Sequence, residues 1–197
     1  MVSITQVQRI LDFWFGEGWQ RNANLKSRPE WFRKDPNFDQ AVRERFLTAH
    51  EQAIAGQYAD WLEEPLSCLA FVILLDQFSR NMFREMPAAF AGDPWALSAA
   101  LHALELQWDE EFQPVVRQFF YFPLEHAEDE DYQQWSVDSF QYLCELDPDE
   151  FSSVYEYACR HQKIIKKFGR FPHRNAILGR KSTNQELKFL QKPGSGF

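Results

Sequence analysis

Apolar positions recur along this chain three and four residues apart, and proline marks where most of the apolar segments begin. Val7, Ile10, Leu11 and Trp14 fall on one face of a helix predicted over 5–15. Phe38, Val42, Phe46, Ala49, Ala53 and Ile54 do the same for a helix from Pro36 to about Ala55, which Gly56 is suited to end. From Pro65 to about Phe78 the chain is apolar on nearly every side, which predicts a buried central helix. Further helices are predicted over 94–106, 114–121, 131–146 and 148–168, the last closed by Gly169, with a short one after Thr183. No stretch alternates apolar and polar residues at the two-residue period of a half-buried strand. The predicted fold class is all-α.

The helix starts have a shared chemistry. Asp-Pro stands at 35–36, 93–94 and 147–148, and Glu64-Pro65 is a weaker fourth case. Aspartate accepts hydrogen bonds from the free N–H groups of a first turn, and proline at the first helical position has no N–H to satisfy. Asp147 with Glu150, and Thr183 with Glu186, have the spacing of a reciprocal capping box. Pro123 is expected to end or kink its helix. Seven or eight helices with short connections imply antiparallel pairs in a single domain over 1–197. Starts at 36, 65 and 94 are evenly spaced, which predicts tetratricopeptide-like layering without a regular repeat. The tail over 190–197 reads as loosely held.

Composition narrows the class. With 197 residues, of which 16% are aromatic, the chain can bury one large core. The N-terminus lacks a basic stretch followed by an unbroken apolar run, so no signal peptide is expected. The longest strongly apolar stretch, LAFVILL at 69–75, is too short to span a bilayer. Cys68, Cys144 and Cys159 have no C-x-x-C spacing and read as reduced thiols of a cytoplasmic protein. The net charge of −8 is uneven: residues 101–150 carry fourteen acidic side chains and one basic, Arg117, while 151–197 carry ten basic and two acidic. An acidic protein with one local basic quarter is not a general nucleic-acid binder, but it has room for an anion site.

Three clusters carry candidate chemistry. In LLDQFSRNMFR (74–84), Asp76 and Arg80 are neighbours on a helix face, and Asn81 and Arg84 follow where that helix runs out. An ion pair tying helices together explains this cluster equally well. In FFYFPLEHAEDED (119–131), Glu125 and His126 stand after a run of aromatics, and a carboxylate beside an imidazole fixes its tautomer for acid–base work. The acidic run from Glu128 to Asp131 reads as solvated residues before the next helix. His161 lies at the flank of the apolar face of the long helix 148–168. After it, FGRFPHRN (168–175) sets Arg170, His173, Arg174 and Asn175 in a turn stiffened by Pro172, where forked donors suit a carboxylate or phosphate. No pair of histidines has the i, i+4 spacing of helical metal ligands, so no metal or other cofactor is expected. GRKST (179–183) lacks the first glycine and preceding strand of a phosphate-binding loop.

The stretches LDFWFG (11–16), WFRKDPNFD (31–39), LLDQFSRNMFR (74–84), FFYFPLEHAED (119–129), KFGRFPHRN (167–175) and LGRKST (178–183) together resemble the bacterial domain-of-unknown-function family 924. The resemblance runs in order over 5–197. It implies an all-helical, tetratricopeptide-like, soluble bacterial protein and supplies no reaction. Its motifs include the clusters above and add Arg180, Ser182 and Thr183, of which the last two also serve helix capping. Ala127 departs from the serine often found there in the family, which weakens a nucleophile at that point. The leading expectation is a small anionic ligand held by Arg80, Arg170 and Arg174, with His126, His161, His173 and Glu125 as acid–base groups and Asp76, Asn81, Arg84, Asn175 and Arg180 lining the site. The alternatives are an acidic peptide partner and a polar network that only fixes the fold. Neither nucleic acid nor membrane is an expected partner, and the oligomeric state is open.

Overall fold

The computed structural model describes residues 4–196, and every regular element among them is helical. Residues 1–3 and Phe197, parts of the predicted N-terminal and tail segments, lie outside the described residues. Helix α1 (Ile4–Phe15) buries the predicted face of Val7, Ile10, Leu11 and Trp14. After a single turn, α2 (Pro29–Phe32), comes α3 (Pro36–Ile54), which starts where Asp35 accepts hydrogen bonds from the N–H groups of Asn37 and Phe38. It ends at Ala55, and Gly56 follows at φ 75°, a conformation that costs glycine nothing.

Helices α4 (Pro65–Val72) and α5 (Phe78–Met82) form one rod, interrupted by a π-helical turn over Ile73–Gln77. The rod is the centre of the core, buried from Cys68 to Asp76, with α1, α3, α6 (Asp93–Glu105) and α7 (Pro114–His126) packed around it. Helices α8 (Glu130–Leu146) and α9 (Pro148–Phe168) are joined by Asp147 alone and lie against one another, with α8 also on α7. A loop over 169–183 leads to α10 (Asn184–Leu190).

Three local expectations are corrected. Helix α7 runs through Pro123 to His126 instead of stopping near Tyr121. It is buried on nearly every side, and Gln133 of α8 donates to the carbonyls of Leu124, Glu125 and Ala127, so the chain end of α7 is satisfied by packing, not by an early stop. Asp93 does not cap α6: Gly92 precedes the helix and the Asp93 carboxylate is turned to arginines. Half of the Asp147 box forms, because Glu150 bonds the Ser27 N–H and Lys26 instead of reaching back. The Thr183–Glu186 box is complete. In the tail, Arg160 donates to the Gly194 carbonyl and Ser195 to that of Leu190. Among the described residues no helix is long and apolar enough to cross a membrane.

Candidate functional site

The site begins at the π turn, a local irregularity that recurs at functional positions in helical proteins. It carries Asp76, whose carboxylate is buried in the core. Asp76 Oδ1 lies 2.6 Å from His126 Nδ1 at the end of α7, and Oδ2 accepts from the Gln77 amide at 2.5 Å. Burial pushes the Asp76 carboxyl up, but His126 and Arg80 beside it more than offset this and hold it below its ordinary value. An ionised acceptor at Nδ1 favours the tautomer with its proton on that side, which leaves Nε2 as the acceptor of a ring that lines the cleft.

Segment 87–92 comes down directly on the π turn. A Cβ on Gly92 would stand 2.5 Å from the Leu75 carbonyl oxygen, so only glycine lets the two backbones approach this far. The next residue, Asp93, is thereby set beside Arg80, which grips it with two prongs at 2.7 and 2.9 Å and also donates to the Ala89 carbonyl. Arg80 lies 3.9 Å from Asp76 and over the ring of Phe90.

The third wall is the loop after α9. Gly169 closes the helix at φ 67° and Phe171 is wholly buried against His161. Pro172 starts one tight turn that delivers Arg174. Its guanidinium is sandwiched between Phe90 and Phe171, 4.8 and 4.5 Å from the ring centres, and Nη1 is 3.5 Å from Asp93. Nε is buried with no hydrogen-bond partner among the described residues. Burial, and then the charge of Arg80, lower the Arg174 pKa to about 10. The loop is anchored by Glu128, which accepts from Phe171 N–H at 2.8 Å and takes Arg180 at 2.5 and 2.9 Å. Glu128 is therefore a structural ligand of the loop and not the solvated residue expected. Arg180 donates further to Asn175, whose amide reaches Ser182.

Behind His126 is a second polar layer. His161 Nδ1 lies 3.0 Å from Glu125 Oε1 and 2.9 Å from the Tyr157 carbonyl. Burial and the nearby Asp76 charge raise the Glu125 carboxyl well above its ordinary value, while burial lowers His161 to about 3. Burial thus disfavours the charged form of both partners in this contact.

An open cleft of about 470 Å³ lies between these walls, with Asp76, Asp93, His126, Glu128, Asp129 and Arg174 among its polar lining. Of the residues singled out in the sequence, Asp76, His126 and Arg174 face it and Arg80 stands directly behind. Glu125 and His161 back the His126 wall, and Asn175 and Arg180 brace the loop, where burial and then the Arg174 charge lower His173 to about 4. Asn81 and Arg84 turn instead to Asp39, and Arg170 to Glu186 and the Lys181 carbonyl, because those acceptors are nearer than the cleft. Asp93, Gly92 and Phe90 were not foreseen; Asp93 sits in the same Asp-Pro signature as two true caps, so only its distant arginines distinguish it. Among the described residues no three His, Cys, Asp or Glu side chains converge as a metal requires. A second cleft of about 490 Å³, between 19–23 and 111–113, gathers no histidine.

A family model described as a bacterial protein of unknown function, DUF924, matches residues 10–194. A solved structure of a protein of unknown function from Agrobacterium tumefaciens is similar over 95% of this chain and 97% of that one, at 37% identity and a TM-score of 0.80. No curated protein matches the chain.

Proposed function

The chain belongs to the DUF924 family of bacterial proteins of unknown function, and we propose that its cleft binds a small anion at Arg174 and acts on it by acid–base chemistry at His126. The supporting observation is the unequal treatment of the arginines. Arg80, Arg170 and Arg180, all partly exposed, each hold a carboxylate with two prongs, whereas Arg174, more deeply withdrawn from water than any of them, has one 3.5 Å contact and an unpartnered Nε. A desolvated guanidinium so poorly compensated costs about 1–3 kcal/mol, which a bound anion would recover.

His126 has the arrangement of a general base. The buried Asp76 carboxylate orients it and stabilises the imidazolium formed when Nε2 takes a proton. The cleft lining includes no hydroxyl or thiol side chain, and Ala127 stands where a nucleophile was considered. The chemistry this favours is proton transfer to the ligand or activation of a water molecule, without a covalent intermediate. An acidic peptide would have to compete with Asp39, Asp93, Glu128 and Glu186 for the other guanidinium groups, whereas one small anion needs Arg174 alone. Three free thiols support a reducing, cytoplasmic setting in a bacterium, and the stacked helices support the tetratricopeptide-like comparison.

A thermal-shift panel of carboxylates and phosphate esters tests the reading. A ligand at a hundred times its Kd adds about 2.7 kcal/mol, or roughly 5–10 °C in Tm at this chain length. That shift should vanish in Arg174→Gln. If no anion stabilises the wild type at millimolar concentration, or Arg174→Gln responds equally, the polar groups serve the fold alone.

A further inference from the structure

Arg174 can receive either of two anion classes, and we infer that its ligand is a monocarboxylate carrying an apolar tail, not a phosphate ester. This rests on the anion reading above and narrows it.

Charge is the first argument. Around the guanidinium stand the carboxylates of Asp76, Asp93, Glu128 and Asp129, against the three guanidinium groups of Arg80, Arg174 and Arg180. The site is thus already slightly negative before a ligand enters. A single negative charge on Arg174 is tolerable there; the doubly charged head of a phosphate monoester meets twice the repulsion from the same carboxylates.

Donor count is the second. A phosphate head presents three oxygens and is usually held by backbone N–H groups, lysine or hydroxyls as well as arginine. In this cleft Arg174 is the sole cation of the lining, and no hydroxyl or amide side chain stands beside it. Its guanidinium carbon lies 4.8 and 4.5 Å from the ring centres of Phe90 and Phe171, so the two rings flank the group without taking up its N–H groups. The coplanar donor fork of a guanidinium matches the two oxygens of a carboxylate.

The walls are the third. Beyond the polar floor the cleft is bounded by Pro87, Phe90, Pro94, Leu97, Pro123 and Leu178. Such a surface offers nothing to a sugar or a second charged group, but it shields an alkyl or aryl chain from water.

Calorimetric titration at constant ionic strength, with sodium acetate, butanoate, hexanoate and octanoate beside butyl and hexyl phosphate, provides the test. Each added methylene should tighten binding by roughly fourfold until the chain leaves the cleft. The alkyl phosphate should bind about tenfold more weakly than the carboxylate of equal chain length. Arg174→Gln should weaken every carboxylate while keeping the chain-length slope, and Leu97→Asp should flatten the slope. The wild-type series alone decides the matter should either variant misfold. Alkyl phosphate binding as tight as carboxylate, or affinity independent of chain length, overturns this inference and leaves the anion reading standing. Absence of binding by both series overturns the anion reading itself.

Discussion

Replacing Gly92 with alanine probes the contact that sets Asp93 beside Arg80. Gly92 has φ −81° and ψ −14°, values open to any residue, so backbone conformation does not demand glycine. Space does. An added Cβ would stand 2.5 Å from the Leu75 carbonyl oxygen and 3.2 Å from both the carbonyl carbon and Cβ of Leu75. The neighbour is backbone of the π turn, which has no rotamer to change. Reaching even 3.0 Å, the lower limit of real Cβ contacts, requires the segments to part by 0.5 Å. Forcing a methyl into such a place costs about 1–3 kcal/mol. Against this, alanine restricts the unfolded chain and returns about 0.4–1 kcal/mol. The expected net loss is about 1.5 kcal/mol, or roughly 3–6 °C in Tm for a chain of this length. Thermal unfolding followed by circular dichroism measures it, with Gly196→Ala as the control, since nothing lies within 4 Å of a Cβ there. A Gly92→Ala melt equal to or above that of the wild type would show the contact to be slack and refute the reasoning.

Other perturbations separate the parts of the site. In ¹⁵N spectra at neutral pH, His126 should appear protonated at Nδ1, and Asp76→Asn should mix the tautomers; an Nε2-protonated wild type would contradict the proposed base. Glu128→Gln should cost on the order of 1 kcal/mol in urea unfolding, since the pair with Arg180 is two-pronged but partly exposed. Phe171→Ala should cost about 3–5 kcal/mol, because the ring is wholly buried; a loss below about 1 kcal/mol would mean that the loop carries little of the packing. His50 and His173 are lowered to about 4, and His161 to about 3, mainly by burial. The unfolded chain therefore takes up these protons first, so stability should be complete above about pH 6.5 and fall toward pH 4, by up to about 1.4 kcal/mol per pH unit for each group. Glu125 has the opposite sign: its contribution is complete below the ordinary carboxyl range and is lost as pH rises through its raised value, a loss that Glu125→Gln should abolish.

What the sequence made legible was local. The faces of α1 and α3, the Asp35 cap, the Thr183 box and the turns at Gly56 and Gly169 each depend on residues within four or five positions. What it hid depends on distant ones. LAFVILL is apolar on every side, so nothing in it marks where the helix widens into a π turn; that position is met by Gly92, seventeen residues after Leu75. Pro123 was misread because the rule for proline is local, whereas Gln133, which satisfies the last carbonyls of the helix beyond Pro123, belongs to another helix.

The same distinction explains why FGRFPHRN announced a site without saying which residue matters. Arg170, Arg174 and Arg180 are alike in chemistry and lie within eleven residues of chain. Their fates differ through the carboxylates they meet: Arg170 has both oxygens of Glu186 and Arg180 both of Glu128. Arg174 meets Asp93, whose two oxygens are already taken by Arg80. A guanidinium held between two rings and given only a share of one carboxylate is left short of charge and of hydrogen bonds. Carboxylate placement, more than arginine placement, therefore makes the difference between a brace and a binding group. Moving one carboxylate tests this: with Asp93→Asn, Arg80 keeps Asp76 nearby but Arg174 loses its one anionic contact, so anion affinity should rise even as stability falls. An affinity that falls in parallel with stability would instead make Asp93 part of the binding surface.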